Sequence, residues 1–366
     1  MTALFSKVRN RALCFLERRG PKIEDVCVRR EVLCPAEDTE APPGICDRRD
    51  FERVTACEKA TTMEQELARM RGGTRHHGAT VLYELENAVL WDGWISSKGW
   101  RAWNALHPSP SSQSVSVGQP VRMERAVCGS TFVGSFYFGH WLSDDLPLLL
   151  EAERHRDPII TTARTPYTHE PGYLELLGLQ PQPLVRARFD RLTWIDNVAQ
   201  NSRRAQQYRE LRRRIRQSTS PVEGRRVMLH RGRTGAHRLL ANEEELEAML
   251  ARRGFEIVDP AKSTALEIAE ACAGARIALC VEGSQLTHAF LAMADRAAIV
   301  AMIPPYRYIN HYKDLTDCIG TMRYGSITGT AVEAGFRIDP DELLHLLDRV
   351  EAALDSSPVD DRNPSP

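Results

Sequence analysis

His140 and Asp144 stand four residues apart in Tyr137-Phe138-Gly139-His140-Trp141-Leu142-Ser143-Asp144-Asp145-Leu146-Pro147. On a helix that spacing puts both side chains on one face. A carboxylate bonded to an imidazole orients the ring and raises its basicity, as a general base requires. The plainer alternative is an aspartate that satisfies a half-buried histidine, and spacing alone leaves both open. A second set lies downstream. Arg231, Arg233, His237 and Arg238 follow the apolar run Val227-Met228-Leu229-His230, and Glu282-Gly283-Ser284 follows Ile277-Ala278-Leu279-Cys280-Val281. Guanidinium forks bind phosphate oxygens, and a helix opening at Gly283-Ser284 turns free N–H groups toward an anion. Glu282 is placed to accept from ribose hydroxyls. The alternative is a helix cap with surface arginines. The phosphate fingerprints GxGxxG and GxxxxGK[ST] are absent.

The elements that must position these residues are legible between residues 226 and 303. Short apolar runs at 227–230, 255–258, 277–281 and 298–303 alternate with helical patterns that start near Ala241-Asn242-Glu243 and Ser263. This alternation predicts βαβ units around a parallel sheet. Ligands of such sheets bind outside the carboxyl ends of the strands, where Arg231, Arg238 and Glu282-Gly283-Ser284 fall. The ligand this implies is anionic, a nucleotide above all. For the His140 stretch, a helix is expected from about Gly139, bending around Pro147.

Upstream, residues 1–19 read as an amphipathic helix that packs on its own domain or, less commonly, lies on a membrane surface. Residues 20–60 are irregular. A short helix is expected over Glu64–Arg71, and two strands joined by a turn at Glu86-Asn87 over Thr80–Leu90. A loop follows at 108–119, then a strand at 158–161, a helix at 173–177 and a strand at 191–195. Ser202–Gln217, with seven arginines, reads as a solvated inter-domain helix or, less commonly, a contact for nucleic acid or acidic lipid, and a boundary follows near Pro221 and Gly224. A polar stretch after Ile303 leads to a last helix capped by Asp339, with Pro340 in its first turn. The expected domains are 1–60, 61–219, 220–354 and a disordered tail, 355–366.

Composition excludes several classes. The chain has 366 residues, 42% of them hydrophobic, and a formal net charge of −1, so no overall field draws it to nucleic acid. No apolar run is long enough to span a bilayer. Nine cysteines without a CxxC indicate neither a zinc ribbon nor a disulfide framework, and a reducing cytoplasmic setting is expected. Cys272 and Cys280 read as core. No His/Asp/Glu cluster has metal-ligand spacing, and Asp339-Pro340-Asp341 reads as a helix cap, so no metal is expected.

Four stretches in this order resemble glycosyltransferase family 61, in its bacterial capsular-polysaccharide-type branch. They are Phe138–Pro147; Leu229-His230-Arg231 with Arg238 and Asn242-Glu243; Gly254-Phe255-Glu256-Ile257-Val258; and Val281-Glu282-Gly283-Ser284-Gln285-Leu286-Thr287-His288. Where many eukaryotic members read His-Gly-Ala-Gly-Leu-Thr-Asn, this chain reads Glu282 to His288. The resemblance implies an α/β protein of GT-B type, with two Rossmann-like domains facing a cleft. It implies an inverting, metal-independent transfer of sugar from a nucleotide-sugar donor to a glycan or polysaccharide hydroxyl, with no further cofactor. It carries His140, Asp144 and Asp145 as catalytic residues. Arg231, Arg238, Asn242, Glu243, Glu282, Gly283, Ser284, Gln285, Thr287 and His288 are carried as donor-binding. The expected location is cytoplasmic, with peripheral contact at the inner face of the membrane through residues 1–19 as the alternative. The rival readings are a pyruvyltransferase-like enzyme and a non-catalytic polysaccharide-assembly protein.

Overall fold

The computed structural model describes residues 20–105, 119–232 and 238–356. Expectations for the helix at 1–19, the loop at 108–118, the tail from 357, and Arg233 and His237 lie outside the described residues. The chain forms two compact units: residues up to Glu37 with Gly78–Gln207, and Asp38–His77 with Tyr208 onward. The chain passes between them three times, after Glu37, after His77 and inside the helix Ser202–Gln217.

The first unit is built on one mixed sheet. Its strands are β1 (Arg29–Cys34), β4 (Thr80–Trp91), β5 (Trp94–Ser97), β6 (Trp100–Trp103), β7 (Val121–Cys128), β8 (Ile159–Thr162), β9 (Gln182–Leu184) and β10 (Arg186–Asp196). The order is β6-β5-β4-β10-β7-β8-β9, with β1 also on β4. Only β10-β7-β8-β9 run parallel; the β4-β5-β6 side is antiparallel. The turns set the antiparallel side. Asp92-Gly93 and Lys98-Gly99 all have positive φ, the geometry of two-residue hairpin turns that twist with their strands. The expected break at Glu86-Asn87 is absent. β4 runs through it in unbroken register with β10, and Asn87 takes the positive φ locally, which asparagine tolerates better than most residues.

In the second unit, β11 (Arg226–Leu229), β12 (Phe255–Val258), β13 (Ile277–Val281), β14 (Ala298–Ile303) and β15 (Arg323–Thr328) form an all-parallel sheet, order β12-β11-β13-β14-β15. β13 and β14 are buried at every position, as strands covered on both faces must be. The alternating runs read from sequence are all present. β15 and the helix His311–Ile319 are not foreseen: they lie in the stretch after Ile303 that reads as polar. Two small antiparallel pairs complete the unit, β2 (Glu37–Ala41) with β3 (Gly73–His77), and β16 (Thr330–Val332) with β17 (Gly335–Arg337). The last helix, Pro340–Asp355, is capped by Asp339 as expected and packs Leu343, Leu346, Leu347 and Val350 into the core.

The arginine-rich helix Ser202–Gln217 is far less solvated than its composition implies. Arg204 and Arg212 are fully buried along with Tyr208, Leu211 and Ile215. Arg212 donates to the carbonyls of Phe290, Met293 and Ala294. These close the helix Gln285–Ala292, so the cation sits where the helix dipole is negative. Burial lowers the Arg212 pKa to about 10.

Candidate functional site

The strand order of the second unit reverses between β11 and β13, the switch point where such sheets leave a crevice at their carboxyl ends. The loops leaving both strands meet there. After β11, Glu243 accepts from the backbone N–H of Arg231 at 2.6 Å and of Gly232 at 3.0 Å, fixing the turn. Arg231 then donates through Nη1 to Gln285 Oε1 at 2.8 Å. Arg238 donates to the carbonyl and carboxylate of Glu282, and Arg307 reaches the same Oε2 at 2.8 Å. A Cβ added at Gly283 would lie 3.2 Å from Nη1 of Arg231, 3.2 Å from Nη1 of Arg238 and 3.0 Å from Gln285 Oε1. The two guanidiniums thus close over a backbone position that only glycine fills without displacement. Below it starts the wholly buried helix Gln285–Ala292.

Burial lowers the pKa of Arg238, opposed by Glu282 and reinforced by the neighbouring Arg307 and Arg231 charges. Its Nε is buried with no hydrogen-bond partner. A cluster of cations with an unused donor is suited to an anion rich in oxygen acceptors. Glu282, read from sequence as a ribose contact, accepts through Oε2 from both Arg238 and Arg307.

The other donor-site residues divide. Ser284 sits at the helix entrance with no side-chain cap bond. Thr287 is buried against the Tyr312 hydroxyl at 3.2 Å, and Tyr312 also donates to the Gly283 carbonyl. His288 is 2% exposed, inside the helix packing. Asn242 is turned to the chain near Ile338, donating to its carbonyl at 2.9 Å and accepting from its N–H at 3.2 Å. Sequence reasoning misses Arg307 and Tyr312. Both fall in the apparently polar stretch after β14, and the Pro304-Pro305-Tyr306-Arg307-Tyr308 cluster is the only local signal there.

In the first unit, the crossover from β7 to β8 carries the His140 stretch. A short helix Phe138–His140 runs into a π turn at Trp141–Asp145 and then the helix Leu146–Glu153. Single π turns recur at functional sites. Pro147 lies in the first turn of the last segment, where a missing N–H is tolerated. His140 Nδ1 lies 2.8 Å from Asp144 Oδ2. Arg204 Nη1 stands 3.5 Å from Asp144 Oδ1 and donates to the Ser143 carbonyl at 2.6 Å. Burial acts to raise the Asp144 pKa, but the His140 hydrogen bond and the Arg204 charge outweigh it, and the carboxyl titrates below its usual range. An ionised Asp144 makes Nδ1 the protonated ring nitrogen and Nε2 the proton acceptor.

Asp145 is not brought to this pair. Its Oδ1 accepts from Thr131 N–H at 2.9 Å and Thr131 Oγ1 at 2.6 Å. Burial drives its pKa well above the carboxylate range, despite those bonds. It pins the turn after β7.

The fold also gathers a group that sequence spacing does not reveal. His230, Glu243 and Glu247 have ligand atoms within 4.8 Å of one another, a set that could hold a metal ion. In this arrangement their bonds are to protein: His230 Nδ1 meets Glu247 Oε1 at 2.6 Å, and Glu243 holds the Arg231 turn.

Residues 138–300 match the sequence model of the family described as Glycosyltransferase 61. The match supports that family for this chain. A family of that description suggests a glycosyltransferase. The glycosyltransferase 61 match begins at Phe138, just before His140, and runs past Arg231, Arg238 and Gly283 to Val300. Both clusters therefore fall inside it, whereas Arg307 and Tyr312 lie beyond. No curated protein matches the chain. No helix among the described residues is long and apolar enough to cross a membrane.

Proposed function

We propose that this chain moves a sugar from a nucleotide-sugar donor to a glycan hydroxyl by single displacement, with inversion, on a two-domain plan of GT-B type. The observation that carries the reading is the closure of Arg231 and Arg238 over Gly283 at the switch point of the second unit. In this reading the donor diphosphate lies on those guanidiniums and Arg307, above the N-terminus of Gln285–Ala292. As the bond from the anomeric carbon to the diphosphate breaks, charge grows on the leaving oxygen and the guanidiniums stabilise it. The acceptor hydroxyl gives its proton to His140 Nε2 while its oxygen bonds to the anomeric carbon from the opposite face. Asp144 positions the ring and stabilises the imidazolium that forms. Arg204 positions Asp144.

A thermal-shift screen of the full chain tests this, using nucleoside diphosphates, nucleotide sugars and phosphoenolpyruvate, each with and without EDTA. A ligand at a hundred times its Kd adds about 2.7 kcal/mol. Stabilisation by one nucleoside diphosphate, unchanged by EDTA, is the expected result. Stabilisation by phosphoenolpyruvate alone transfers the cradle to a pyruvyl donor, and an EDTA-sensitive shift gives His230, Glu243 and Glu247 a metal to hold.

A further inference from the structure

The first unit holds a cavity of about 240 Å³ at the carboxyl ends of β7 and β10, which the proposed mechanism leaves unused except at its edge. Its walls include Trp103, Phe132, Trp194 and Leu148, and its polar lining includes Asp144, Asn197 and Arg204. The position follows the rule that parallel strands present ligands at their carboxyl edge. The lining follows the pattern of small-molecule pockets, aromatic walls with a few fixed polar groups.

Two features narrow the ligand. Asn197 is 4% exposed and donates through Nδ2 to Gln207 at 2.9 Å, yet its buried Oδ1 has no partner. A buried acceptor left unmet is destabilising and calls for an occupant that donates. Of the charged groups that line it, Asp144 and Arg204 compensate each other at 3.5 Å, and Asp196 adds a second carboxylate, so the site disfavours an anion and offers acceptors to a donor. A neutral molecule with hydroxyl donors on its rim and C–H groups on its faces fits both the acceptors and the aromatic walls. That is a pyranose ring.

The surface also leads to the dyad. Trp103 meets Phe132 at 4.9 Å between centroids, Phe132 meets Phe136 at 6.4 Å, Phe136 meets Tyr137 at 4.5 Å, and Tyr137 meets His140 at 5.8 Å. Phe136 and Tyr137 are 46% and 54% exposed, unusual for large rings unless something covers them.

We infer that this cavity is a saccharide subsite that receives a neutral sugar unit of the acceptor, with Asn197 Oδ1 and Asp144 accepting from its hydroxyls and Trp194, Trp103 and Phe132 covering its faces. The inference rests on the transferase reading above and extends it to the acceptor.

Saturation-transfer NMR on the full chain tests it, with free glucose, galactose, mannose, xylose and N-acetylglucosamine, and glucuronate as the charged control. At least one neutral sugar is expected to give saturable transfer, strongest on ring C–H protons, and glucuronate at least tenfold less. Trp194→Ala and, separately, the milder Phe132→Leu are expected to weaken that signal at least tenfold, while the nucleotide thermal shift stays at its wild-type size. Absence of transfer from every neutral sugar overturns the subsite, as does transfer that survives both substitutions in folded protein. Nucleotide stabilisation without sugar transfer sinks this inference alone; sugar transfer without nucleotide stabilisation sinks the donor reading alone.

Discussion

The two clusters use the same parts in opposite roles. In the second unit, carboxylates hold arginines: Glu243 fixes the turn that carries Arg231, and Glu282 holds Arg238 and Arg307. In the first unit, an arginine holds a carboxylate: Arg204, itself 1% exposed, braces Asp144 and the carbonyl beside it. Each site sits at the carboxyl edge of parallel strands, so the sheet sets its place. The chemistry is set by which sign of charge is the scaffold and which is presented. Asp144 and Asp145 make the same point at one residue's distance. Burial acts to raise the pKa of both, and only Asp144 has His140 and Arg204 beside it to reverse the direction.

The sharpest way to break this contrast is to remove each presented group. His140→Ala should cost about 10²–10⁴ in turnover, the range for a general base, with donor affinity unchanged; product formation under donor saturation measures it. A turnover near wild type would reduce His140 and Asp144 to a structural pair. Arg231→Ala should cost about 10²–10³ in kcat/KM and shrink the nucleotide thermal shift, which the His140 variant should leave alone. Gly283→Ala adds one methyl group under the guanidiniums and should weaken nucleoside diphosphate binding about tenfold, or ~1.4 kcal/mol, by calorimetry. Unaltered binding there would mean that the guanidiniums separate freely and that the cradle is not preformed.

The smallest effect is on stability. Burial lifts the Asp50 pKa to about 6 from 3.8, against the bonds it accepts from the Thr328 and Asp47 N–H groups. Between those values the folded chain keeps a proton that the unfolded chain has lost. Stability therefore falls as pH rises from about 4 to 6, by at most about 3 kcal/mol, and is flat above. Asp50→Asn should remove that decline from a series of melting curves; an equal decline in the variant would assign it to another group.

Sequence legibility differs between the units for a physical reason. β11 to β14 are strands buried on both faces, so each is a continuous apolar run that stands out by itself. The first unit's strands are half exposed, and β4 carries Glu84, Glu86 and Asn87 among its apolar residues, which reads as a break. The His140–Asp144 bond was readable because its partners share one helical stretch. Arg307 was not, because its role exists only after β14 has delivered it beside Glu282, 25 residues away. Nor does any local pattern announce that Arg204 would be buried, since an arginine is expected at the surface until carbonyls such as those of Ser143 and Asn197 are seen to claim it. His230, Glu243 and Glu247 are spread along strand and helix in the same way.

The second unit is discontinuous in the chain. Asp38–His77 belongs with residues from Tyr208 onward: Ile45 bridges to Gly325, Arg69 pairs with Asp314, and Glu66 accepts from Asn310. On the ribosome this early segment leaves the exit tunnel with all of those partners unmade. At about 5–20 residues per second, roughly 12–50 s pass before Tyr324 is joined to the chain. During that interval Glu66, wholly buried at the end, and Met70 stand in water or in the grip of a chaperone. Within the second unit the order of birth is therefore the reverse of the order of assembly: the piece of it made first is among the last that can dock.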